Sequence, residues 1–135
     1  VLVYANASAD TFTGELAPTR TITSPGTFTD VFDVFVDGNG SLYVVNQSGT
    51  INIFDTPAGL NGDATPDATL AVPGARLLTA IGVDANGIGH IVDNEANATY
   101  VYNSVSTRNG SVAPDRTVTG PNTRLTNPIR AFLVE

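Results

Sequence analysis

Val36-Asp37-Gly38-Asn39-Gly40-Ser41-Leu42-Tyr43-Val44-Val45-Asn46 decides the fold, because it comes back. Val83-Asp84-Ala85-Asn86-Gly87-Ile88-Gly89-His90-Ile91-Val92-Asp93 repeats it 47 positions later. A second phrase, Pro18-Thr19-Arg20-Thr21-Ile22, returns as Pro66-Asp67-Ala68-Thr69-Leu70 and as Pro114-Asp115-Arg116-Thr117-Val118, at intervals of 48. Self-similarity at a period of roughly 20–50 residues marks a chain built from stacked supersecondary units.

Each unit reads as four short strands. Strand A falls at 31–37, 80–84 and 131–135, and strand B at 42–46 and 89–93. Strand C falls at 1–4, 51–54 and 99–102, and strand D at 20–23, 68–72 and 116–119. β-Branched and aromatic residues dominate these segments, with Gly, Pro, Asn and Asp between them. No stretch carries a 3.6-residue period, so essentially no helix is expected. Asn39-Gly40 and Asn86-Gly87 supply the positive φ of tight A–B hairpins. The longer C–D connections pass through Asn61-Gly62-Asp63 and Asn109-Gly110-Ser111 before Pro66 and Pro114 set up strand D, read here as an outer edge.

This spacing predicts an all-β chain of β-propeller-type, four-stranded antiparallel blades. The whole chain, 1–135, forms one segment: a part blade at 1–23, blades at 31–72 and 79–119, and a lone inner strand at 129–135. About 2.75 repeats cannot close a ring of roughly four to eight blades. The ring is therefore expected to be incomplete: the chain belongs to a longer one, associates with further copies through its unpaired strands, or forms an open array whose ends partners cap.

Composition narrows the function classes. The 135 residues include no Cys, Met or Trp, and their net charge is −7. Without clustered basic residues, phosphate-tracking nucleic-acid binding is disfavoured. No apolar run approaches the roughly 18 residues that cross a bilayer, so no membrane insertion is expected. Abundant Thr, Ser, Asn and Gly suggest a secreted or cell-surface bacterial protein.

The repeat resembles the NHL-type and related six-bladed propeller repeats of bacterial surface and secreted proteins. The residues that carry the resemblance are Pro114-Asp115-Arg116-Thr117-Val118-Thr119-Gly120, Leu125-Thr126-Asn127-Pro128, the phrase from Val36 to Asn46, and Ile51-Asn52-Ile53-Phe54. Gly89-His90 departs from the pattern, as does Glu135 in place of Asp. The resemblance implies architecture and a binding role more than catalysis, and it transfers no catalytic residue.

Candidate chemistry is sparse. Asp37-Gly38-Asn39-Gly40-Ser41 places oxygens at alternate positions, as a calcium loop does, making Asp37, Asn39 and Ser41 weak metal candidates. The loop has no downstream bidentate acid, so a hairpin turn is favoured and no cofactor is expected. Asn61-Gly62-Asp63-Ala64-Thr65-Pro66-Asp67 is a fainter run of the same kind. His90, the sole histidine, stands where Tyr43 stands one repeat earlier and reads as a partly buried strand residue. Tyr4, Phe54 and Tyr102 recur at one phase and read as packing between blades.

A binding site, if built from loops, would use the face shared by the D–A and B–C connections. That face carries Asp30, Asn46, Arg76, Asp93, Glu95, Arg124 and Asn127. The expected function is a non-enzymatic extracellular binding or scaffold module that engages a protein or glycan. Self-assembly into a ring, fibre or surface layer is the alternative, and a lyase or lactonase of the propeller kind ranks last.

Overall fold

The computed structural model describes residues 1–5 and 13–130. Among them the chain is all-β, and its helical residues are confined to single 3-10 turns at Pro57–Gly59, Val105–Thr107 and Pro121–Thr123. No helix among the described residues is long and apolar enough to cross a membrane.

The strands are β1 (Leu2–Val3), β2 (Arg20–Thr23), β3 (Val31–Val36), β4 (Leu42–Asn46), β5 (Thr50–Phe54), β6 (Gly62–Asp63) and β7 (Ala68–Ala71). They continue with β8 (Leu78–Val83), β9 (Gly89–Asp93), β10 (Ala98–Tyr102), β11 (Gly110–Ser111) and β12 (Arg116–Val118). Three sheets result, ordered β1-β2-β6, β11-β7-β5-β4-β3 and β12-β10-β9-β8, and none closes on itself. In the second and third sheets, consecutive antiparallel strands follow the order expected for strands A to D. The first sheet holds only strands C and D, with β6 added. The lone strand expected at 129–135 falls almost wholly outside the described residues.

The A–B hairpins form for a local reason. Asp37 Oδ1 accepts the backbone N–H of Asn39 and Ser41, both at 2.9 Å, while Gly40 takes φ +89°. Asp84 does the same for Asn86 and Ile88, at 2.9 and 2.8 Å. A carboxylate that bonds its own turn two residues on is an efficient hairpin initiator. In both repeats a register shift lies at the start of strand A, between Val31 and Asp33 and between Leu78 and Ala80. In the second repeat strand A begins at Leu78, ahead of the expected Ala80.

Sheets stack face to face. Tyr43, Val45, Ile51 and Ile53 meet Ile81, Ile91, Tyr100 and Tyr102 between the second and third sheets. Ile22, Leu42, Val44 and Phe54 fill the gap between the first and second. Because successive strand residues point to opposite faces, β4 is buried along its whole length rather than alternating. Each fully buried large apolar side chain contributes about 1.5–3 kcal/mol. His90 is half-buried where Tyr43 is fully buried. Ile91 packs inward on the second sheet, so its neighbour His90 points to the opposite face.

One expectation needs correction. Strand D is not an outer edge in the first two sheets. β6 pairs parallel with β2, as Ile22 with Gly62 and Thr23 with Asp63. β11 pairs parallel with β7, as Leu70 with Gly110 and Ala71 with Ser111. The C–D connections of the second and third sheets therefore reach back to the preceding sheet and stitch neighbouring repeats together. The run from Asn61 to Asp63, read as a turn or faint calcium loop, is part of this stitch.

Candidate functional site

The loop-face residues fall into three repeat-related junctions. In the first, the loop before β3 meets the turn after β4. Gln47 N–H donates to the Asp30 carbonyl at 3.1 Å, and Asp30 Oδ1 accepts the hydroxyls of Thr29 at 2.8 Å and Ser48 at 3.1 Å. Asn46 is fully buried, and its Nδ2 donates to the Thr27 carbonyl and to Thr50 Oγ1, both at 2.9 Å. A carbonyl can only accept, so this nitrogen is fixed and Oδ1 is the remaining atom. That Oδ1 is buried with no donor among the described residues.

In the second junction, Asp93 occupies the position of Asn46 and is likewise fully buried. Here the chemistry is inverted. Asp93 accepts the N–H groups of Arg76 at 2.7 Å, Leu77 at 3.1 Å and Ala96 at 2.9 Å, and the Tyr100 hydroxyl at 3.5 Å. Burial first, and the adjacent Asp93 charge second, push the Tyr100 pKa above its ordinary value. The side chains of Arg76 and Glu95 lie exposed at the rim.

In the third, Asn127 N–H donates to Asn97 Oδ1 at 2.7 Å, with Asn127 at φ +45°. Arg124 is exposed at φ +58°. Thr79 Oγ1 and Asn94 Nδ2 both donate to the Pro128 carbonyl, at 3.2 and 3.3 Å. The structure thus brings Asp30 beside Asn46 and Arg76 beside Asp93, and it puts Asn127 against the turn that follows Asp93. It does not gather all seven residues into one cluster.

Of the metal candidates, Asp37 spends Oδ1 on its hairpin and accepts the Tyr43 hydroxyl on Oδ2 at 3.0 Å. Asn39 is exposed and Ser41 is buried. No group of three or more His, Cys, Asp or Glu side chains converges among the described residues.

Two concave sites stand out beyond these. A groove of about 460 Å³ lies beside β1, walled by Leu2, Val3, Val34, Val36, Leu42 and Pro57 among others. It is the place where strands A and B stand in the other two sheets. Arg20, its charged member, spends its guanidinium on the carbonyls of Pro57 at 3.0 Å and Leu60 at 2.9 Å. A smaller slot of about 260 Å³ opens between the Thr27–Thr29 loop and the face of β5. It is walled by Thr27, Thr29, Ser48, Thr50, Asn52 and Thr69.

No protein-family model, curated protein or solved structure matches the chain.

Neither the groove nor the slot was found from sequence. The groove arises from which strands the first sheet has. The slot gathers residues spread from Thr27 to Thr69. One signal was available: position 52 is Asn where its counterpart, 48 residues on, is Tyr100.

Proposed function

We propose that the three sheets are β-propeller-type blades, and that the chain is a non-enzymatic scaffold module that associates with a second copy of itself. One comparison carries this reading. Val34 and Val36 correspond to Ile81 and Val83 of the next repeat. Ile81 and Val83 are 3% and 7% exposed, because the A and B strands of the preceding sheet cover them. Val34 and Val36 are 46% and 58% exposed, since among the described residues the first sheet has no such strands.

The free edge of β1 supports the same reading. Val1 exchanges backbone hydrogen bonds with Ile22 at 2.7 and 2.8 Å, which turns the backbone of the next residue, Leu2, away from β2. An exposed edge of this kind is a template for strand addition. Leu2, 57% exposed, adds apolar surface beside it.

On the third sheet the corresponding place is filled by strands A and B of the second, which bring Phe35, Tyr43 and Val45 to the apolar contact, while Asp33 accepts the N–H of Ile81 at 3.3 Å. Ile129-Arg130-Ala131-Phe132-Leu133-Val134-Glu135 repeats the strand A pattern, Phe132-Leu133-Val134 aligning with Val34-Phe35-Val36. Head-to-tail contact of this type builds rings or filaments.

Native mass at increasing concentration tests the proposal. The full chain should form a defined oligomer, and Val36→Glu or removal of residues 129–135 should return it to monomer. A full chain that stays monomeric at about 100 μM, roughly a hundredfold above a micromolar interface, overturns self-assembly. So does an oligomer that both variants leave intact.

A further inference from the structure

We propose that the slot between the Thr27–Thr29 loop and β5 binds one ring of a neutral sugar. This site is separate from the groove beside β1 and does not depend on self-assembly.

Size comes first. A volume of about 260 Å³ falls below the roughly 300–1,000 Å³ of sites for drug-sized ligands. One six-membered ring is the appropriate scale.

Chemistry comes second. The wall carries hydroxyls and an amide and no ionisable side chain. A charged ligand would lose hydration there without gaining a counter-charge. The hydroxyl hydrogens are also largely committed. Thr29 and Ser48 give theirs to Asp30, whose carboxylate can only accept. Thr69 gives its hydrogen to Asn52 Oδ1 at 3.1 Å, and that amide is oriented by Asn52 Nδ2 donating to the Thr27 carbonyl at 2.9 Å. Thr27 gives its own to Ser24. The oxygens of Thr27, Thr29, Ser48 and Thr69 are left as acceptors. Thr50 differs, because its oxygen accepts from Asn46 and its hydrogen is free to donate. With the second Nδ2 hydrogen of Asn52 beside that of Thr50, the wall therefore asks for several O–H donors and one or two acceptors on a small neutral body. A polyhydroxylated ring meets that demand, whereas a phosphate or carboxylate brings only acceptors.

The repeat supplies the third argument. In the next repeat, Ala98 replaces Thr50 and Tyr100 replaces Asn52. Leu77 takes the place of Asp30, since its carbonyl accepts Asn94 N–H as that of Asp30 accepts Gln47 N–H. There the Tyr100 ring is buried in the core and its hydroxyl reaches Asp93. The same architecture thus accommodates a hydroxylated six-membered ring as a side chain in one repeat and leaves a polar slot in the other. Asn46, the counterpart of Asp93, holds two wall residues with its amide nitrogen and keeps a buried oxygen without a donor.

Amide-resolved NMR titration of the full chain tests the inference, using the methyl glycosides of glucose, galactose and mannose at up to roughly 50 mM, against an expected dissociation constant on the order of 1 mM. At least one should shift the resonances of Thr29, Ser48, Thr50 and Asn52 saturably. Asn52→Tyr, which copies the next repeat, should abolish those shifts. Where that variant does not fold, Ser48→Ala at the exposed rim should weaken binding about tenfold, one lost hydrogen bond. No saturable shift with any glycoside overturns the proposal, as do shifts that persist unchanged in the variant that folds. Equal shifts with acetate or sulfate would show an anion site and overturn it too.

Discussion

Asn61 Oδ1 accepts the backbone N–H of Thr21 at 3.1 Å, a bond that crosses from one repeat to the one before it. Asn109 Oδ1 does the same for Thr69, also at 3.1 Å, 48 residues later. Both asparagines sit just before a two-residue strand that pairs parallel with strand D of the preceding sheet. The side-chain bond thus extends a short ladder by one more backbone partner. Both bonds are exposed to water, so each contributes no more than a typical net hydrogen bond of about 0.5–1.5 kcal/mol. Asn61→Ala and Asn109→Ala should each lower unfolding stability by about 1 kcal/mol in urea titration. Amide exchange should quicken at Thr21 in the first variant and at Thr69 in the second. Unchanged exchange at both positions would show that the clasp does not join the repeats.

These clasps also show where sequence reading stopped. The four main strands of each repeat are legible because β-branched runs sit between turn residues at a fixed period. Gly62–Asp63 and Gly110–Ser111 are not, because two residues carry no alternation and Gly-Asp looks like a turn. Their strand character comes from the neighbouring sheet. The same holds at the candidate site. The place of Asn46 and Asp93 at the B–C connections puts them on the loop face in a sequence reading. Their full burial depends on the loops that fold over them, at Thr27 and at Arg76 and Leu77.

Asp93 should prove structural before anything else. It accepts three backbone N–H groups and caps the loop that connects the second sheet to the third. Asp93→Ala leaves three part-buried donors unpaired around a fully buried position. At about 1–3 kcal/mol for a buried group left unsatisfied and less for one that water can reach, the variant should lose about 3 kcal/mol. Asp93→Asn keeps one acceptor oxygen and should lose less. Thermal unfolding of both variants decides this, and equal stability of Asp93→Ala and the parent would contradict the capping role.

Alkaline pH should unfold the protein through its buried tyrosines. Burial, followed by the hydrogen bond to Asp37, raises the Tyr43 pKa well above its ordinary value. Burial pushes Tyr102 up to about 12, and Tyr100 is raised for the reasons given above. A raised folded-state pKa means that the neutral form is favoured in the folded protein. The stabilisation is whole below about pH 10, the unfolded tyrosine pKa, and is lost as pH climbs from there through about 12. Urea midpoints should be flat from neutral pH to about 10 and then fall. Phenolate absorbance that titrates fully near pH 10 with the sheets intact would contradict this.

Gly89 and Val105 should behave as one packing unit. Gly89 is the departure from the repeat in β9, standing where β4 has Leu42. A Cβ built on Gly89 would lie 2.8 Å from Val105 Cβ and 2.8 Å from its Cγ2. Val105 is fully buried in the 3-10 turn after β10, so its branched stem cannot swing aside. The turn is itself tied down, since Val105 N–H donates to the Gly87 carbonyl at 3.0 Å. Gly89→Ala should therefore destabilise by about 1–3 kcal/mol, the usual cost of overpacking a filled core. Val105→Ala alone should also destabilise, by loss of buried surface and by the cavity it leaves. The double variant should be more stable than the sum of the two losses predicts, because the alanine methyl enters space that the valine vacated. A coupling of about 0.5–3 kcal/mol is the range for residues in direct contact. Strict additivity in a double-mutant cycle would mean that β9 shifts away from the turn instead of pressing on it, and that glycine here answers a backbone need rather than the approach of Val105.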